Sequence, residues 1–377
     1  MNLMKVQQPD RKEKRKVRFS FSAKMALGLL IGIGFLFLVS RFVNISKSIQ
    51  VLQHNLETPR GVLLALLSGV AFLLAFSLRG VRWRLFLHSV MGNKVSISEA
   101  IRIYQVSILL NFLLPIQGGE VSKCLMLKRI ANIPVGQSLP TIAMDRSFDL
   151  LPALFIITLV PLFGIPMDIK LWLVLGIVVG LLLGLFSFVI LAIWRRTAAI
   201  AFLQRITKVF PKAMASKIEG FATNFVDSLL LSTSRPRVFL LALLLTCTAL
   251  ICDGLFAMLA FWTTGYSIAF ATAIFGYTVF NMFSILPTPP GMVGSNEAVG
   301  LLVFSVLLHL RPDKVLAMFF FSHPWAAVVM AITGTICLSS LGLKFSSLVK
   351  ATPEKSVLEE RIGETLIPVP VAEEASV

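Results

Sequence analysis

Asn111-Phe112-Leu113-Leu114-Pro115-Ile116-Gln117-Gly118-Gly119-Glu120 opens as an apolar helix, breaks at Leu-Pro, passes two glycines and restarts at a glutamate. A distant echo follows the same plan: Phe283-Ser284-Ile285-Leu286-Pro287-Thr288-Pro289-Pro290-Gly291-Met292-Val293-Gly294-Ser295-Asn296-Glu297. Pro115 and Pro287 lie close to half the chain apart. Proline removes a backbone donor and clashes with the preceding turn, and glycine leaves backbone groups open to other partners. In hydrocarbon such a break is tolerated only where protein or a water-filled cavity satisfies the freed groups. Broken helices at corresponding positions of two halves point to a transporter-like site between repeats.

The surrounding composition supplies the hydrocarbon. Of 377 residues, 56% are hydrophobic and 14% charged, more apolar surface than a soluble fold of this size hides. The reading is an all-α, polytopic helical membrane protein. Cys124, Cys247, Cys252 and Cys337 are scattered and read as packing residues, not as a disulfide framework. The net charge of +16 lies where a cytoplasmic membrane surface explains it better than nucleic acid does. Eight Lys/Arg precede the first apolar run, which has no small-residue cleavage site and is expected to stay as a span.

In order, the chain divides into a basic N-terminus (1–24) and a first membrane repeat with its fourth span (25–194, break 111–120). A basic connector follows (195–237), then a second membrane repeat (238–343, break 283–297). The polar tail (344–377) is expected to be disordered. Full spans are expected at 25–43, 61–78, 147–163, 171–194, 238–262 and 315–343, the last kinked at His323-Pro324. Residues 97–113, and 268–285 with 297–310, lead into or out of the breaks.

If both broken segments re-enter by the face they left, six segments cross and both termini are cytoplasmic. Six of 35 basic residues then lie outside: Arg41, Lys47, Arg60, Lys170, Arg311 and Lys314. If the first broken segment crossed fully, Lys123–Arg129 and the connector would move outside, against the positive-inside rule. The accepted arrangement makes the halves inverted repeats, each with a re-entrant broken helix pair, in a cell membrane.

Ionisable residues at membrane depth are the functional candidates, because each costs about 2.5–3.5 kcal/mol to insert alone. Glu120 and Glu297 begin restarted half-helices. They either interact with the helix dipole as first-turn acids or face a cavity and handle protons or substrate. Ser295 or Asn296 is positioned to cap the second half-helix. Asp145-Arg146-Ser147-Phe148-Asp149 places Arg146 and Asp149 at i,i+3, as an edge ion pair or as an Arg fork for an anionic headgroup. Asp253 lies mid-span and must face the interior. Arg79, Arg82 and Arg84 with Trp83 read as an interfacial anchor, with an anionic-lipid contact as the alternative. His309 and His323 show no metal-type spacing and read as packing or loop residues. No hydrolase, zincin or phosphate-loop string is present, so neither metal nor cofactor is expected.

Taken together, Asn111, Pro115, Gly118-Gly119-Glu120, Asp145-Arg146, Asp149, Pro287, Pro290-Gly291, Gly294 and Glu297 resemble the flippase-like family, also called the lysylphosphatidylglycerol synthase transmembrane region. The resemblance covers about residues 20–345. It implies moving or handling lipids, including aminoacylated phosphatidylglycerol and polyprenyl-linked sugars. It also implies roles for Pro115, Gly119, Glu120, Arg146, Asp149, Gly291, Gly294 and Glu297. Asp145 stands where the family usually has Glu, and Gly291-Met292 where it often has Gly-Gly. The soluble transferase domain of the full synthases is expected to be absent. Three functions compete. The leading one is a non-enzymatic transporter or flippase for an anionic or lipid-linked substrate. The others are an intramembrane lipid-modifying enzyme and a non-catalytic subunit for a glycosyltransferase or synthase partner.

Overall fold

The computed structural model describes residues 53–92, 94–114, 118–135, 236–283 and 289–343, with isolated further positions, mostly between 137 and 205. The elements are α1 (Pro59–Met91), α2 (Ile97–Leu113), α3 (Gly118–Ala131), α4 (Pro236–Thr263), α5 (Phe270–Met282), a 3₁₀ turn (Pro290–Met292), α6 (Ser295–Gly300), a π turn (Leu301–Leu307) and α7 (Pro312–Ser340). The chain is an all-helical, polytopic membrane protein. Among the described residues α1, α4 and α7 are each long and apolar enough to cross a bilayer. The expected spans 25–43, 147–163 and 171–194, most of the 195–237 connector and the 344–377 tail lie wholly or largely outside the described residues.

Helix α1 begins where Thr58 caps it, its hydroxyl accepting the Gly61 N–H at 3.0 Å, with Pro59 pre-set at the first position. It ends at Gly92, whose positive φ of 70° lets its N–H reach the His88 carbonyl. Its 33 residues span about 50 Å, well beyond a hydrocarbon core of about 30 Å. The expectation of a span stopping at 78 is therefore corrected. The exposed Leu63, Leu66, Leu67, Val70 and Leu74 form a lipid-type face on the first half, whereas Arg79, Arg82 and Trp83 on the second half are buried. They are not an interfacial anchor, because carboxylates from two other segments, Asp145 with Asp149 and Asp253, neutralise the arginines inside the protein.

Helix α2 occupies the expected 97–113 and is started by a full capping box, Ser96 with Glu99. It packs against α1 where Gly80 lets the backbones approach; a Cβ there would lie 3.0 Å from the Ile101 Cα. One core gathers Trp83, Ile103, Tyr104, Leu110 and Met126. A second gathers Phe261, Phe275, Phe304 and Phe319 around α5, the π turn and α7. Phe72, Leu109, Phe256, Val329 and Met330 join the two. Helix α7 runs on through Pro324 without leaving helical structure. The expected helix 297–310 is a short α6 relayed into the π turn, closed by the Leu308 N–H on the Val303 carbonyl. Neither Ser295 nor Asn296 caps α6. Gly294 holds the cap position with φ 75°, a conformation glycine enters without a Cβ penalty, and the Ser295 hydroxyl donates to the Met292 carbonyl instead.

Several helix ends meet one another. Asn55 lies against Gly265, Arg311 stacks over the Tyr266 ring at 5.5 Å, and His309 Nε2 lies 3.2 Å from Asp168 Oδ2. At the other end Arg84 donates to the Val95 carbonyl and Arg102 to the Ser340 carbonyl.

Candidate functional site

Among the described residues two polar centres sit between the helices, one beside each break. The larger is an ion cluster. Arg79 and Arg82 are one turn apart on one face of α1. Arg82 is fully buried and its donors are saturated. Nε donates to Asp145 Oδ1 at 2.9 Å, one terminal nitrogen to Asp145 Oδ1 at 2.7 Å and its carbonyl at 3.0 Å, and the other to Asp149 Oδ1 at 2.8 Å and Thr246 Oγ1 at 3.0 Å. Arg79 grips Asp253 with both terminal nitrogens and lies 3.5 Å from Asp149. Lys123 is fully buried between Glu120 at 3.1 Å and Asp145 at 3.8 Å, with its ammonium 3.8 Å from the Tyr104 ring centroid and 5.4 Å from that of Trp83. The Tyr104 hydroxyl donates to Asp145 Oδ2 at 3.1 Å. Arg146 pairs with Glu120 and lies 3.6 Å from Asp149 Oδ2.

Four cations and four carboxylates thus balance in one connected network: Arg79, Arg82, Lys123 and Arg146 against Glu120, Asp145, Asp149 and Asp253. Their burial is unequal. The side chains of Arg79, Arg82 and Lys123 are 10%, 0% and 0% exposed, that of Arg146 42%. Arg146 is therefore the most exposed cation of the network among the described residues. The three others tie α1, α3, α4 and the helical residues around 145–149 together.

The first break is held by α2. The Asn111 side chain accepts the Gly119 N–H at 2.8 Å and donates to Glu120 Oε1 at 3.1 Å, while the Ser107 hydroxyl donates to the Gly119 carbonyl at 2.9 Å. Protein groups thus satisfy the restarted backbone, as a water-poor site requires. A Cβ on Gly119 would lie 2.0 Å from the Ser107 carbonyl oxygen, so only glycine fits. Pro115 and Pro287 lie outside the described residues.

The second centre is built on α6, α7 and the 3₁₀ turn. Gly291 has φ 67° and ψ 6°. His323 Nδ1 lies 2.8 Å from Glu297 Oε1, and Nε2 lies 2.8 Å from the Gly291 carbonyl. His323 is therefore no simple packing residue. The Phe112 ring meets the imidazole edge-on, centroids 5.9 Å apart, and also borders Gly291. Consecutive residues of α2, Asn111 and Phe112, thus reach the first and the second break respectively.

The structure brings together Asn111, Gly119, Glu120, Asp145, Arg146, Asp149 and Asp253. It places Gly291 and Glu297 in the second centre, with Gly294 capping α6. Sequence reasoning missed Arg79, Arg82, Lys123, Tyr104, Thr246 and His323 as members. The usable signal was charge balance: several membrane-depth acids cannot all be compensated by Arg146 alone.

The comparisons agree with this architecture. The family model for the lysylphosphatidylglycerol synthase TM region matches residues 25–334. A UPF0104 membrane protein of Methanothermobacter thermautotrophicus is 24% identical over 280 residues, covering 70% of this chain and 77% of that protein. The glycosyltransferase AglD of Haloferax volcanii is 22% identical over 380 residues, covering 92% of this chain but 59% of that protein. No solved structure matches the chain significantly. With its match over most of the sequence and two polar centres built from the residues that carry the resemblance, the chain belongs to the lysylphosphatidylglycerol synthase TM region family.

Proposed function

We propose that this protein transports or presents an anionic lipid, or a lipid-linked phosphate, with Arg146 as the headgroup contact. The observation that carries the reading is the unequal exposure within a charge-balanced network: Arg146 is 42% exposed while its three fellow cations are buried. A guanidinium matches phosphate oxygens with two parallel donors. Glu120 and Asp149 hold Arg146. An arriving phosphate displaces them, and on its departure they take the arginine back, so the headgroup is bound without being trapped. The two breaks are the inverted, re-entrant elements around which access alternates, and the site opens to one leaflet at a time in a cell membrane with both termini cytoplasmic.

The test is headgroup accessibility of anionic lipids in vesicles containing the purified protein. Arg146→Ala is expected to abolish protein-dependent exposure and Arg146→Lys to restore it in part, because lysine keeps the charge and loses the fork. Wild-type exposure by Arg146→Ala overturns the assignment.

A second reading is favoured by the similarity to the glycosyltransferase AglD, of which the chain spans 59%. On that reading the membrane part holds a lipid-linked sugar for a transferase partner. Lipid binding without vesicle-to-vesicle or leaflet movement, together with co-purification of a transferase, is the outcome that favours it.

A further inference from the structure

We propose that Glu297 and His323 form a proton-binding site that holds the second break against the end of α2. The hydrogen-bond partners fix where protons lie. A carbonyl only accepts, so His323 Nε2, 2.8 Å from the Gly291 carbonyl, must carry a hydrogen. Nδ1 and Glu297 Oε1 are 2.8 Å apart, so one proton lies between them, on the ring or on the carboxyl. Both side chains are largely buried, 10% and 5% exposed. Glu297 Oε2 is buried and has no hydrogen-bond partner among the described residues, so nothing there compensates a second full charge.

Loss of this proton to water leaves a carboxylate and an imidazole lone pair facing each other at hydrogen-bond distance in a poorly hydrated site. Ring rotation or displacement relieves the repulsion, and the Nε2–H bond to Gly291 goes with it. Gly291 is the left-handed hinge of the Pro290–Met292 turn, and Phe112 packs on both the imidazole and Gly291. Because Asn111, next to Phe112, holds Gly119 and Glu120, the proton bears on both breaks through the end of α2.

Other charged groups on the packed elements are held elsewhere. On α4, Asp253 is gripped by Arg79. On α3, Glu120 is engaged by Arg146, Lys123 and Asn111. On α2, Glu99 and Arg102 belong to the far end, Arg102 reaching Ser340. Asp313 and Lys314 on α7 lie about 14 Å or more along the axis from His323. Glu297 alone faces the imidazole as a charged side chain among the described residues.

This inference rests on the reading of the breaks as moving parts, but its test needs no lipid. Spin labels are placed at Val293→Cys, beside the turn, and Ile336→Cys, on the exposed face of α7. The four native cysteines are replaced by alanine and the full chain is reconstituted in vesicles. The inter-label distance distribution, measured by pulsed electron resonance, is expected to hold one population at acid pH and to lose it as pH rises. Glu297→Gln, whose amide donates to Nδ1 without titrating, is expected to keep the acid population throughout. His323→Ala and the bulkier His323→Gln are expected to remove the pH dependence. A parent distribution unchanged with pH, or a pH shift that survives in both His323 variants, overturns the proposal. Absence of protein-dependent lipid exposure by the parent, with an intact pH-dependent distance, would overturn the transport reading alone.

Discussion

Arg82 and Arg146 carry the same charge within one network and have opposite roles. Arg82 is saturated by five hydrogen bonds to Asp145, Asp149 and Thr246 with no exposed surface, so Arg82→Ala strands a buried carboxylate. Removing one partner of a buried pair costs about 3–5 kcal/mol. A drop of that order is expected in the stability of the detergent-solubilised protein, whereas Arg146→Ala, at a half-exposed position, is expected to cost less stability than Arg82→Ala and to lose lipid handling. Ser96 offers a gentler case. Ser96→Ala removes the α2 cap and is expected to cost about 1 kcal/mol. The Ser96 backbone N–H, then its hydroxyl, hold the Glu99 carboxyl below its ordinary value. A depressed folded value means that the contribution of Glu99 is present above the ordinary carboxylate range and fades as pH falls through that depressed value. The melting difference between the parent and Glu99→Gln is therefore expected to shrink on acidification.

The breaks belong to the scale of elements. Each is a place where a helix ends shortly before a Leu-Pro step and where a packed helix supplies partners to the backbone beyond it. At the first break the partners come from the stopped helix α2 itself, whose Ser107 and Asn111 bond the start of α3, and at the second from α7, through His323. Gly119→Ala would push a methyl into the Ser107 carbonyl and is expected to destabilise the fold strongly. Gly176→Ala, at a helical position with open space around its Cβ, is expected to stay within about 0.5 kcal/mol of the parent. Thermal unfolding of the two variants side by side checks the contrast. The contact of Phe112 with Gly291 predicts that Phe112→Cys and Met292→Cys join with a short bifunctional thiol reagent. A pair placed at Phe112 and Ile336 is expected to stay unlinked.

At the scale of the molecule, several helix ends meet: Asn55 with Gly265, Arg311 with Tyr266, and His309 with Asp168. Which face is cytoplasmic is a separate matter of charge. With 29 of 35 basic residues on one side under the six-span arrangement, that side is expected to be the cytoplasm. Cysteines at Gln53 and Arg311 are expected to react with an impermeant thiol reagent from outside intact cells, and one at Ala215 only after permeabilisation. Reaction in the reverse pattern would overturn the inverted-repeat reading.

The sequence by itself determined the solvent. Long apolar runs, breaks at Leu-Pro and flanking basic residues fix an all-helical membrane protein, since period, length and charge asymmetry are local properties. It also marked Asn111, Gly119, Glu120, Arg146, Asp149, Asp253 and Glu297, because a polar residue in an apolar run stands out wherever it ends up. Only the tertiary structure decided what those residues meet. Arg79 reads locally as the end of a span, and its burial depends on Asp253, 174 positions away. His323 looks like a packing residue beside a proline until α7 sets it against α6 and the Gly291 turn. Pairing of buried charges is a long-range condition on the whole network, so no window of sequence contains it.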